Sequence, residues 1–205
     1  MTTPAQATKI QKVVRSFMVR KRILIPGSEI QTKNWRKNQN WYRGGKHNEC
    51  ELYQRNLIEK ITQKKCNKSD KRINIITKKI IDKKYPMKEV DGFEWTEDFD
   101  GHIELDNKEL FFNLKIICDA GGAQTRSLRE VYHFITCQLD HLVENNEAFG
   151  INKYFINILD GNTCYNTASK FEYLLSKPQY QHVKQYIFVG DMKKFQEEWH
   201  TNLSL

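Results

Sequence analysis

The chain has no apolar run long enough to cross a bilayer. Its apolar runs, such as Phe111–Phe112 and Ile116–Ile117, fall far short of the roughly 20 residues a membrane helix needs. No charged, then apolar, then small-residue pattern opens it, so no secretory signal is expected and the protein is read as soluble and intracellular. Proline is scarce at 4 residues and the 10 glycines follow no period, which excludes collagen-like and proline-rich chains. The five cysteines, Cys50, Cys66, Cys118, Cys137 and Cys164, are odd in number and form no C-x-x-C pair. Free thiols, not a disulfide framework, are expected. His47 and Cys50 make a lone H-x-x-C without a second ligand pair, too little for a zinc site.

Acid is in the minority. Against 33 Lys and Arg stand 25 Asp and Glu, a formal charge of +8 over 205 residues. The excess sits in residues 1–90, whereas 91–109 hold an acidic cluster (Asp91, Glu94, Glu97, Asp98, Asp100, Glu104, Asp106, Glu109). Basic mass beside a small acidic cluster suits a protein that attracts a polyanion and holds a cation at one point. It equally suits a solvated basic surface with an acidic hairpin. With 39% hydrophobic and 12% aromatic residues, the bulk of the chain is expected to fold.

Periodicity divides the chain in two. Residues 1–47 read as a basic arm: an amphipathic helix from Thr8 to Arg22 ended by Pro26-Gly27, then a segment mixing Trp35, Trp41 and Tyr42 with Lys and Arg. Residues 48–205 read as the folded domain. A helix is expected over 48–65, and Ile75, Ile76, Ile80 and Ile81 suggest another short one before Pro86. Gly92–Leu105 and Glu109–Cys118 read as strands joined at Asp106–Lys108. A long helix is expected from Gln124 to about Glu144, a strand at Tyr154–Leu159 and a helix over 167–176. A strand at Tyr186–Val189 and a last helix carrying Phe195 and Trp199 complete the order. It predicts an α/β domain with a mixed central sheet flanked by helices.

On an unbroken strand Glu94, Thr96, Asp98 and Asp100 share a face. Asp100 and Lys115 lie at comparable distances from the turn, so they can meet across the hairpin. A carboxylate that binds a divalent metal, next to a lysine that stabilises developing charge, is the chemistry of metal-assisted phosphodiester hydrolysis. The same residues also make an ordinary cross-strand ion pair.

Phe99-Asp100 followed by Phe112-Asn113-Leu114-Lys115 resembles the signature of PD-(D/E)XK nucleases. The glycine turn and helix Ala120-Gly121-Gly122-Ala123-Gln124-Thr125-Arg126, and the Asp-Gly-closed strand Phe155–Gly161, are similar to type II restriction endonucleases. The resemblance covers roughly residues 48–200. It implies a restriction-endonuclease-like fold, a Mg²⁺-dependent endonuclease acting on double-stranded DNA, and a homodimer on a palindromic site. Asp100, Asn113 and Lys115 are then the catalytic set. Asn113 departs from the pattern, because an amide stands where the family has a carboxylate and binds Mg²⁺ more weakly. Asp98 or Glu94 on the strand face, or Glu51 or Glu59 on the preceding helix, can supply the missing charge as metal ligands beside Asp100 and Asn113. If none does, the chain is a catalytically impaired DNA-binding protein on a nuclease-like fold.

Gly121 and Gly122 permit positive φ and a close backbone approach to phosphate, at a helix N-terminus that attracts anions. Gln124, Arg126 and Arg129 behind them are candidate DNA contacts. Residues 10–20, Ile10-Gln11-Lys12-Val13-Val14-Arg15-Ser16-Phe17-Met18-Val19-Arg20, are similar to the IQ motif bound by calmodulin-type proteins. A basic amphipathic helix of this kind serves as a protein ligand or as a DNA clamp.

Overall fold

The structure is a computed structural model that describes residues 33–44, 48–84, 92–118, 121–144 and 152–201. The IQ-like segment 10–20 lies outside the described residues. At the centre is a four-stranded sheet in the order β4 (Gly101–Leu105), β5 (Lys108–Ile116), β6 (Lys153–Asp160), β7 (Ile187–Gly190). β4 and β5 form an antiparallel hairpin through Asp106 and Asn107, while β5, β6 and β7 run parallel. The sheet is therefore mixed, and the α/β class read from the sequence is the observed one.

β5 and β6 are almost continuously apolar because both of their faces are covered. Phe111, Phe155 and Leu159 pack toward the long helix α3 (Gly122–Glu144), meeting Val131, Phe134, Ile135, Leu139 and Leu142. The alternate residues Phe112, Leu114, Ile156 and Ile158 pack with Ile58 of α2 (Glu49–Thr62) and Phe195 of α6 (Met192–Thr201). Phe99 joins the first layer, its ring 5.0 Å from Phe111 and 5.2 Å from Phe134. Two short helices, α4 (Asn162–Asn166) and α5 (Ala168–Ser176), follow β6.

Gly161, which closes β6, has φ of 101°, and a Cβ there would lie 2.3 Å from the Ile117 carbonyl oxygen. Only glycine fits this crossing of two chains at the end of the sheet. The pair Gly121–Gly122 differs. Neither adopts the positive φ that glycine permits.

Two expectations fail locally. The isoleucine-rich stretch is not a helix: β1 (Lys71–Asn74) and β2 (Ile80–Asp82) pair antiparallel there. Isoleucine is stiff at χ1 and favours strands, and the Asn74 Oδ1 accepts the N–H groups of Ile76 and Thr77 to make the turn. Nor is Gly92–Leu105 one strand. β3 (Thr96–Asp98) pairs with β1 in a separate three-stranded sheet, and the chain bends at Phe99–Asp100 before entering β4. Residues 33–44, read as part of the arm, lie against the domain. The Trp41 ring stacks on Tyr53 of α2 at 4.4 Å, and Arg36, on helix α1 (Lys33–Lys37), donates to the Ile116 carbonyl at 3.3 Å.

Candidate active site

Asp100 occupies the bend between the two sheets, and its own N–H donates to Phe112 at 2.8 Å. That anchor turns the carboxylate along β5. The Asp100 Oδ2 accepts the Leu114 N–H at 2.8 Å and lies 3.3 Å from the Lys115 Nζ. The pair is partly open to solvent, 18% for the Asp100 side chain and 35% for Lys115.

Helix α2 closes the other side. Arg55 donates to the Asp100 carbonyl at 2.8 Å. Buried Gln54 donates to the Lys115 carbonyl at 3.3 Å and to the Asp160 Oδ2 at 2.8 Å. Glu51 stands one turn earlier on the same helix face. Burial pushes its carboxyl above the usual range and the charge of Asp100 adds to that, opposed in part by a hydrogen bond from its own backbone N–H and then by Lys115 and Arg55. Its Oε2 is buried and meets no donor among the described residues. An acid held near another acid, with an unmatched oxygen, is the electrostatic arrangement a cation relieves.

Glu97, which the sequence reading did not single out, joins this group. The residue as a whole is exposed, and partial loss of water around its carboxyl pushes it up. Lys115 opposes that rise, while Glu130, Asp98 and Asp100 reinforce it. The bend at Phe99–Asp100 breaks strand parity, so Glu97 and not Asp98 comes to Lys115. Asp98 is held elsewhere: Arg72 lies 3.0 Å from one oxygen and Lys83 2.9 Å from the other. Glu94 also pairs with Arg72. Glu59 turns away as well, its Oε1 accepting the Cys66 N–H at 3.0 Å. These bonds give Asp98 and Glu59 structural partners, and neither is drawn into the Asp100 group as a ligand.

Asn113 is 1% exposed. Its amide donates to the Asn157 Oδ1 at 3.0 Å, and Asn157 in turn donates to the Gln138 Oε1 at 2.8 Å, a relay of amides from β5 through β6 to α3. Only the Asn113 Oδ1, which meets no donor among the described residues, is left for any ligand role.

No protein-family model matches the chain, and no curated protein or solved structure is significantly similar to it.

The candidate DNA contacts line the start of α3. Arg126 and Arg129 are exposed, as are Gly121 and Gly122. Gln124 folds back, its Oε1 2.8 Å from where a Cβ on Gly121 would stand. A second acidic group lies on the β4–β5 hairpin, where ligand atoms of His102, Glu104 and Glu109 fall within 4.8 Å of one another. Lys153 already sits 3.5 Å from Glu109 there. Among the described residues, no helix is long and apolar enough to cross a membrane.

Proposed function

We propose that the chain is a Mg²⁺-dependent endonuclease that hydrolyses phosphodiester bonds of double-stranded DNA, similar to type II restriction enzymes. The convergence of Glu51 and Asp100 on Lys115, with the buried Glu51 Oε2 unmatched, carries this reading. Mg²⁺ takes oxygen ligands and is held by one or two carboxylates, and Glu51 and Asp100 are the residues that fit it. When bound, it supplies Lewis-acid polarisation of a phosphoryl oxygen and a water acidic enough to attack.

The protein's own groups do the rest. The Leu114 N–H fixes the Asp100 carboxylate in one orientation. Lys115, kept in place by Asp100, presents its ammonium to the charge that builds on the phosphate oxygens. Gln54, bonded to the strand carbonyl of Lys115, keeps α2 and hence Glu51 at a fixed distance from β5. The chain's charge of +8 and the exposed arginines of α3 draw in the DNA backbone. The partner is then DNA, the compartment intracellular, and the assembly a two-fold dimer if the site is palindromic.

Plasmid incubated with the purified protein tests this directly. Cutting with Mg²⁺ and none with EDTA is the expected result. Binding without cutting in either buffer replaces the nuclease with the impaired DNA-binding protein, a reading favoured by the burial of Asn113 within an amide relay. A calcium-dependent complex with calmodulin assigns residues 10–20 to a protein partner in place of DNA.

A further inference from the structure

Beyond the carboxyl ends of β5 and β6, a cavity of about 440 Å³ opens between the first turns of α3 and the pair α4–α5. Ligands of open sheets gather at this end of parallel strands. The cavity floor is apolar, with Leu128 and Tyr132 from α3 and Phe171 from α5, the last two with ring centres 6.2 Å apart. The walls carry two cations on different helices, Arg129 of α3 and Lys170 of α5. Both are exposed, and neither forms an ion pair among the described residues. Asn166 of α4 adds an exposed amide at the rim.

These parts select a ligand. Unneutralised cations on two walls ask for an anion, the ring-bearing floor asks for a flat face, and the rim amide offers both a donor and an acceptor. A nucleotide has all three complements. The volume is that of a small-molecule site, too small for a duplex and suited to one unit lifted out of it. We propose that this cavity receives a single nucleotide turned out of a DNA strand, its base against Tyr132 and Leu128 and its phosphate between Arg129 and Lys170. The choice of a strand-borne nucleotide over a free one rests on the DNA reading above. The amino end of α3, at the cavity mouth, adds attraction for the phosphate.

Anisotropy titrations of the full chain in EDTA, where no cutting intervenes, test it with two short duplexes. One is fully paired, and the other carries a single-nucleotide bulge, which removes the cost of extrusion. The bulged duplex is expected to bind about tenfold tighter. Lys170→Ala and Tyr132→Leu should each bring that ratio close to one, and a mixture of the four deoxynucleoside monophosphates in excess should do the same. Inorganic phosphate should not. Equal binding of the two duplexes by the wild type overturns the proposal, as does a preference that survives both substitutions. Monophosphates that bind the chain yet leave the preference intact make the cavity a free-nucleotide site and overturn the strand-borne occupant. The nuclease reading fails separately: a chain that never cuts with Mg²⁺ but prefers the bulge loses its activity and keeps its cavity. Asp100→Asn should likewise retain the preference.

Discussion

The Oδ2 of Asp100 serves two donors at once, the Leu114 N–H at 2.8 Å and the Lys115 ammonium at 3.3 Å. One of these bonds holds the backbone together and the other positions the ammonium that the proposed hydrolysis uses, and a single substitution separates them. Asp100→Asn keeps a carbonyl oxygen for the Leu114 N–H and removes the negative charge. Its melting temperature should stay near that of the wild type, while Mg²⁺-dependent cutting of plasmid disappears. Lys115→Ala should lower the cleavage rate about a hundredfold, the loss typical of one group that stabilises transition-state charge. In both variants DNA affinity without metal should change little, because the lost interactions act on the reacting phosphate. Full activity in Asp100→Asn removes this residue from the site.

Glu51 makes a prediction that needs no DNA. Its carboxyl is raised by burial first and by Asp100 second, so replacing it with neutral Gln removes a repulsion. Without metal, Glu51→Gln should be at least as stable as the wild type. Mg²⁺ at tenfold over its Kd should stabilise the wild type by about 1.4 kcal/mol, a rise of a few degrees in melting temperature. The variant should show no such rise. Thermal denaturation followed by fluorescence reads both. An equal Mg²⁺ response in the two proteins assigns the ion to other ligands.

The sequence displayed the layers more clearly than the site. α3, β5 and β6 are long, strongly patterned elements, and their order alone implies a sheet covered on both faces. Asp100 and Lys115 were visible because the hairpin between them is tight. Glu97 was hidden by the bend at Phe99–Asp100, since alternation along a strand has no meaning once the strand changes sheets. Between Glu51 and Glu59 the sequence offered no choice, as both lie on one helix. Eight residues at the helical rise put them about 12 Å apart along the axis, so one acid reaches Asp100 and the other caps the loop at Cys66. The cavity walls come from residues 121–132 and 162–171, whose meeting depends on the parallel pairing of β5 with β6. That pairing is a long-range event with no local signature.

Asn113 invites an obvious repair, and the structure argues against it. Asn113→Asp restores the charge of the family pattern it resembles, but it places a carboxylate oxygen against the Asn157 Oδ1, which now accepts a hydrogen bond from the amide. Asn157 can turn over to donate only by giving up the Phe188 carbonyl, and only if Gln138 turns as well to present its Nε2, which has no acceptor at present among the described residues. Either two buried acceptors face each other or the Phe188 carbonyl loses its donor, and urea unfolding should show a loss of about 1–3 kcal/mol. Cleavage should not improve. A gain in both Mg²⁺ affinity and rate places position 113 in the metal site despite its burial.

Asp160 ties the site to pH. It is fully buried, accepting from Gln54 at 2.8 Å and from the Met192 N–H at 3.1 Å. Burial, reinforced by nearby Asp191, pushes its carboxyl up to about 7. In the unfolded chain an Asp titrates near 4, so between about pH 4 and about pH 7 the folded state keeps a proton that the unfolded state releases. Stability should therefore fall as pH rises through that window, by at most about 1.4 kcal/mol per pH unit for this one group. Asp160→Asn cannot ionise. Its Oδ1 still accepts the Met192 N–H, and its amide can donate to the Gln54 Oε1, which has no donor at present among the described residues, once Gln54 turns over and releases its longer bond to the Lys115 carbonyl. Urea midpoints should thus show the variant more stable than the wild type at pH 8, with the advantage shrinking as pH drops toward 4. A variant that is weaker at pH 8 means the ionised carboxylate is itself required, as a charged acceptor that fixes Gln54 and, through it, the backbone at Lys115.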